Sequence, residues 1–270
     1  MGDPSLAYTS SDGGVTWVAQ AGSGALWWQA LATSADGSRL VAGVNKGGVW
    51  VSSDGGVSWE ESAPGSQDSG AWLAVASSAD GARLVAADYG GSIYTSSDAG
   101  ASWVESTAAG QRSWRALSSS SDGALLAAAE DGGSVWTSAD GGGSWVERTG
   151  AGAGAWQALA SSADGARLAA AGYSLPLSTS TDGGASWAAA SGTATLGGSG
   201  SGTSGPRWQA LASSSDGTRL VAAVFGGGLY TSIDGGSTWD ERESAGLRLW
   251  QGVASSSDGT HLVRGARFRV

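Results

Sequence analysis

One eight-residue pattern, Ser-x-Asp-x-Gly-x-Ser/Thr-Trp, occurs six times in this 270-residue chain: Ser10–Trp17, Ser52–Trp59, Ser96–Trp103, Ser138–Trp145, Ser180–Trp187 and Ser232–Trp239. Its aspartates, Asp12, Asp54, Asp98, Asp140, Asp182 and Asp234, stand 42, 44, 42, 42 and 52 residues apart. A unit of this size cannot bury its own apolar face, so repeated units must stack on their neighbours. A second mark interleaves with the first. It is a Trp followed eight residues later by Asp-Gly, at Trp28/Asp36, Trp72/Asp80, Trp114/Asp122, Trp156/Asp164, Trp208/Asp216 and Trp250/Asp258.

Between these marks the chain reads as short strands. Trp156–Ala160 precedes an Asp-Gly turn and Arg167–Ala171 follows it; a Gly-rich corner then leads to a strand entering the next eight-residue box, and the box's Trp begins a fourth. No segment has helical period. Asp-Gly between apolar runs predicts a tight hairpin with positive φ at its central residues. In the box, Asp accepts backbone N–H bonds, Gly supplies the conformation and Trp drops into the sheet. The chain starts just before a box and stops just after the sixth Asp-Gly hairpin. The expected fold is therefore all-β: a six-bladed β-propeller of four-stranded antiparallel blades, closed by two N-terminal plus two C-terminal strands in the last blade. As a single domain over 1–270, its blades fall at approximately 23–65, 66–109, 110–151, 152–195, 196–245, and 246–270 completed by 1–22.

The six boxes resemble those of the Asp-box, or bacterial-neuraminidase-repeat, propellers. The stretch Gly226–Trp239 is similar to the photosystem II stability/assembly factor branch of that superfamily. This resemblance covers nearly the whole chain. It implies the fold, whereas functions in such families range over glycosidases, receptors and assembly factors.

Composition narrows the chemistry. With 14 basic and 24 acidic residues the net charge is −10, which argues against a nucleic-acid binder. The absence of Cys removes thiol nucleophiles and thiolate metal sites, and a single His, His261, leaves no multi-histidine site, so no cofactor is expected. Each box offers one carboxylate, too few for a calcium loop. No apolar run approaches eighteen residues, so membrane insertion is not expected. Twelve acidic residues are the repeat aspartates, and fourteen of the 15 Trp recur at repeat positions, leaving Trp27 over. Arg39, Arg83, Arg167 and Arg219 share one register, three residues after a hairpin Asp, with Leu125 and His261 in the other two repeats. That regularity points to structure.

The resemblance raises a sialidase-like glycoside hydrolase, but the Phe/Tyr-Arg-Ile-Pro segment is absent and the non-repeat arginines are scattered. Asp88, Glu130 and Asp131 in the corners between second and third strands are the candidates for a carboxylate pair. No residue is assigned a catalytic role. Variation concentrates on those corners and on the connections between repeats, opposite both Asp motifs, which is how a scaffold carries a binding surface. The fourth repeat departs most, with Tyr173-Ser174-Leu175-Pro176 at its corner and a long Gly/Ser loop, Leu196–Arg207, read as a lip over the site. Tyr89, Tyr173, Leu175, Arg207 and Phe225 form the candidate ligand site. Trp27 and Arg115 join it from the positions flanking the first-strand Trp, which are expected to ring the mouth of a central channel and carry recurrent Gln. The expected function is a monomeric, non-enzymatic module binding a protein partner or glycan. The alternatives are a glycoside hydrolase and a recently amplified or engineered repeat without a ligand, since Trp156–Leu168 and Trp208–Leu220 differ at two positions.

Overall fold

The computed structural model describes residues 5–62, 70–191 and 205–267. They are all-β apart from three single turns of 3-10 helix at Thr107–Ala109, Thr149–Ala151 and Glu243–Ala245. Contacts divide the chain into two compact units, Met1–Ala124 with Ala139–Ser144, and Leu125–Ser138 with Trp145–Val270.

In the first unit, β1 (Ala7–Thr9) and β2 (Val18–Gln20) pair as a two-stranded sheet of their own. A four-stranded antiparallel meander follows: β3 (Trp28–Thr33), β4 (Leu40–Val44), β5 (Val49–Ser52) and β6 (Glu60–Ser62). The same order returns in β7 (Trp72–Ser77), β8 (Leu84–Gly91), β9 (Ile93–Ser96) and β10 (Val104–Glu105), and β11 (Arg112–Ser119) pairs with the end of β8. In the second unit come β12 (Leu126–Gly133), β13 (Val135–Ser138) and β14 (Val146–Arg148), then the meander β15 (Gly154–Ser161), β16 (Leu168–Gly172), β17 (Ser178–Ser180) and β18 (Ala188–Ala189). A further meander runs through β19 (Trp208–Ser213), β20 (Leu220–Gly227), β21 (Leu229–Ser232) and β22 (Asp240–Glu241), and the final antiparallel pair is β23 (Arg248–Ser255) with β24 (Leu262–Arg267).

Side-chain hydrogen bonds shape both kinds of turn. At the first Asp-Gly hairpin, Ser34 N–H donates to Arg39 O (2.8 Å) and Gly37 N–H to Ser34 O (3.0 Å), while the Asp36 carboxylate accepts from Ser34 Oγ (2.6 Å) and Ser38 N–H (3.0 Å). The expected turn with positive φ at both central residues is not what forms. Only the glycine crosses over, Gly37 at φ 71°, because the Ser and Asp side chains close a wider loop and hold Asp36 in an ordinary conformation. In the box at Asp54, Oδ1 accepts Ser52 Oγ (2.8 Å) and Ser58 N–H (2.9 Å), Oδ2 accepts Ser58 Oγ (2.5 Å), and Trp59 Nε1 donates to Gly56 O (2.9 Å). Box and hairpin of one repeat are tied together by Gly55 N–H to Ser38 O (2.9 Å), with the same bond at Gly183–Ala166 and Gly235–Thr218 (2.8 Å each), so both Asp motifs lie at one end of each sheet.

Neighbouring repeats dock by repeated rules. Ala35 N–H reaches Ala79 O and Ala79 N–H reaches Ser121 O, both at 2.7 Å; Ala163 N–H reaches Ser215 O at 2.7 Å in the second unit. The recurring arginine has a steric reason. A Cβ on Gly81 would lie 2.7 Å from Arg39 Cβ, and Gly123, Gly217 and Gly259 bear the stems of Arg83, Arg167 and Arg219 in the same way, with Leu125 over Gly165. Each stem covers the glycine of the next hairpin. First-strand indoles fill the space between repeats: Trp208 packs with Ala158, Ala160, Ala169 and Ala171 of the preceding repeat, whose small side chains make room for it. Gly236, at φ 91°, has no room for a side chain, since a Cβ there would lie 2.5 Å from Thr179 Cγ2.

Candidate functional site

The end of the sheets away from the Asp motifs is built by one recurring arrangement. In the first strands β3, β7, β15, β19 and β23 the register shifts around the residue after the Trp, as between Trp72 and Ala74 or Trp208 and Ala210. This bulge breaks the alternation of faces and re-aims the side chain it carries. Beyond it, the corner residue of one repeat pairs with the residue before the next repeat's Trp. In the first unit Asn45 bridges Ala71, and Tyr89 aligns with Ser113. In the second unit Asp131 aligns with Ala155, Tyr173 bridges Arg207, and Phe225 aligns with Leu249.

Within the second unit this places three of the expected residues side by side. Arg207 is flanked by Tyr173, its cross-strand partner, and by Phe225, whose N–H donates to Arg207 O (2.9 Å). The exposed guanidinium stacks between both rings, with Cζ 5.0 Å from the Tyr173 centroid and 5.2 Å from that of Phe225. Cross-strand neighbours on one face reach each other in this way, and each cation–π contact contributes on the order of 0.5–1 kcal/mol at an exposed site. Tyr173 is fixed in turn, since its hydroxyl donates to Gln209 Oε1 (2.8 Å) on the bulged position. The arrangement offers guanidinium donors and aromatic edges on a rigid strand scaffold. Leu175 lies apart from it, its side chain against Gly154 and Gly172 and its carbonyl accepting Trp208 Nε1 (3.1 Å).

The first unit holds the other three. Trp27 is 37% exposed and its ring lies beneath the ammonium of Lys46, 5.8 Å from the centroid; Lys46 takes a left-handed φ of 59° at the corner. Tyr89 is 40% exposed, and Arg115 is half-buried on β11. The candidate carboxylate Asp88 is committed to the main chain, its Oδ1 accepting Ala71 N–H (2.8 Å). The lip read at Leu196–Arg207 lies outside the described residues as far as 204. Sequence reading missed a fourth-strand glutamate that braces the corners: Glu105 Oε1 accepts Ser92 Oγ (2.7 Å) and Glu147 Oε1 accepts Ser134 Oγ (2.8 Å). Its signal was available, because Glu61, Glu105, Glu147 and Glu241 stand two residues after the box Trp in four of the six repeats, with Ala19 and Ala189 in the other two.

Among the described residues no three His, Cys, Asp or Glu side chains gather as a metal site, and no helix is long and apolar enough to cross a membrane.

These strands, turns and docking rules define a β-propeller, and comparison with solved structures agrees. The chain aligns over 98% of its length with the GH74 xyloglucanase from Xanthomonas campestris, at TM-score 0.73 and 17% identity, while spanning 48% of that enzyme. It matches YCF48 from Cyanidioschyzon merolae over 97% of this chain and 88% of that one, at TM-score 0.67 and 17% identity. A structure of YCF48 bound to a D1 peptide is matched over 90% and 94% of the two chains, at TM-score 0.54 and 15% identity. No family model and no curated protein matches the chain. At these identities the likeness is one of fold.

Proposed function

We propose that this chain is a non-enzymatic, protein-binding propeller that receives an extended protein segment on its corner face. The observation that carries this reading is Arg207, its guanidinium exposed and within cation–π distance of both Tyr173 and Phe225. A guanidinium fixed by stacking has already lost the rotamer freedom that binding would otherwise cost, and it can meet a carboxylate or backbone carbonyl along its open edge. The YCF48 likeness supports a protein ligand, since that propeller covers a similar length and is known with a bound peptide. The GH74 likeness favours a glycan as the second reading. Peptides selected by display on the immobilised chain are expected to lose at least tenfold in affinity with Arg207→Ala and with Tyr173→Ala. Binders indifferent to both variants, or selection of oligosaccharides alone, would reject the protein reading.

We also propose six blades, the last shared by both ends of the chain. β1 stands to the first meander as β5 stands to the second: Thr9 Cγ2 lies 2.9 Å from a Cβ on Gly56, as Val51 Cγ1 lies 2.8 Å from one on Gly100. Trp28 Nε1 donates to Ser5 O (3.0 Å) as Trp250 Nε1 donates to Gly227 O (2.9 Å). β1 and β2 are thus an outer pair lacking inner strands, and β23 and β24 an inner pair lacking outer ones. A variant without residues 1–22 is expected to melt well below the full chain and less cooperatively. An unchanged melting curve would refute the shared blade.

A further inference from the structure

At the Asp-motif end of the first unit, a cleft of about 470 Å³ opens between the first and second repeats, within the range of small-molecule sites. Val51, Leu84 and Trp103 make its apolar wall, and Arg39, Glu60 and Ser62 its polar one. The lining is held in place. Gly81 sits beneath the Arg39 stem, and Trp103 Nε1 donates to Ser62 Oγ (2.7 Å), which itself donates to Gly100 O.

The equivalent groove is narrower where a long side chain enters it, about 170 Å³ beside Arg242 in the fifth repeat. At the position of Ser62 the third and fifth repeats carry Arg148 and Arg242, whose Nε atoms donate to Thr137 Oγ1 (2.7 Å) and Thr231 Oγ1 (2.6 Å). Those threonines occupy the position of Val51. Between the first two repeats Ser62 is too short to fill the groove and Val51 offers no acceptor, so the space stays open and amphipathic.

We propose that this cleft binds a small polyhydroxylated ligand, a mono- or disaccharide. A sugar ring presents C–H groups to an indole and aliphatic wall, and hydroxyls that accept from a guanidinium and donate to a carboxylate. Arg39 and Glu60 supply those two roles. The site is independent of the corner face, from which it is separated by the length of the strands.

The test is saturation-transfer NMR and calorimetry of a neutral mono- and disaccharide panel on the full chain at millimolar concentration. Binding of at least one sugar to the parent chain is expected. The double variant Val51→Thr, Ser62→Arg copies the third repeat, so it should still fold, with a cooperative melt, and abolish binding, and Glu60→Gln should weaken it at least fivefold. No sugar bound by the parent chain, or undiminished binding in the folded double variant, would overturn the proposal.

Discussion

Trp208→Ala should destabilise the protein by about 3–5 kcal/mol, the range for truncating a buried large aromatic side chain. The indole is fully buried, meets Tyr230 edge-on at 5.3 Å between centroids, and donates to Leu175 O. Its other neighbours set the upper end of that range. Ala158, Ala160, Ala169 and Ala171 have no side chain long enough to swing into the vacated space, and their strands are fixed by the ladder of β15 with β16. The cavity therefore stays open, and the partly buried Leu175 carbonyl loses its donor as well. Thermal melting should fall by roughly 10 °C or more, given about 2–4 °C per kcal/mol for a domain of this size. Trp27→Ala, at a partly exposed position, should change it little. A Trp208→Ala protein melting within a degree or two of the parent would mean that the inter-repeat packing is not what holds these sheets together.

How much of this was legible beforehand follows the range of the interactions. Box and hairpin turns are local, so Ser52, Asp54 and Ser58 could be read within seven residues of one another. The hairpin geometry was misread for a local reason too: Asp-Gly alone signals a two-residue turn, but the serine two positions before Asp36 captures both the carboxylate and the Arg39 N–H (3.0 Å). Position in the repeat was enough to group Tyr173, Arg207 and Phe225, because the corner residue of one repeat and the residue before the next repeat's first-strand Trp become cross-strand neighbours. Register alone could not reveal the bulge after first-strand Trp residues such as Trp208, which has no one-residue signature, nor that Gln209 would pin Tyr173 through it. The arginine register was visible as a pattern while its cause, a glycine in the next repeat, lies 42 residues away for Arg39 and Gly81. Leu175 was placed in the site because the Tyr173 corner is unusual; an apolar side chain beside two glycines turned inward instead.

Acid should unfold this protein between about pH 4 and pH 2, and hydrogen bonds, not ion pairs, should set the midpoint. Seven aspartates, Asp12, Asp36, Asp54, Asp98, Asp182, Asp216 and Asp234, are held at about 2 from an ordinary 3.8, and Asp80, Asp122, Asp164 and Asp258 are lowered as well. In every case the largest cause is a Ser or Thr hydroxyl donating to the carboxylate; a backbone N–H follows in most. A folded-state value below the unfolded one means that the stabilising contribution is complete above pH 3.8 and is lost as pH falls toward 2. These carboxylates are exposed and each contributes little alone, but they close the turns of every repeat and protonate in the same window. Because the donors are neutral, added salt should leave the acid midpoint nearly in place, whereas repulsion among the 14 basic side chains would be screened by it. Asp98→Asn provides the control. It keeps the shape but cannot titrate, so its deficit against the parent should be clear at pH 7 and shrink toward zero near pH 2. A deficit independent of pH, or a midpoint that salt moves by a full unit, would place the acid sensitivity outside these turns.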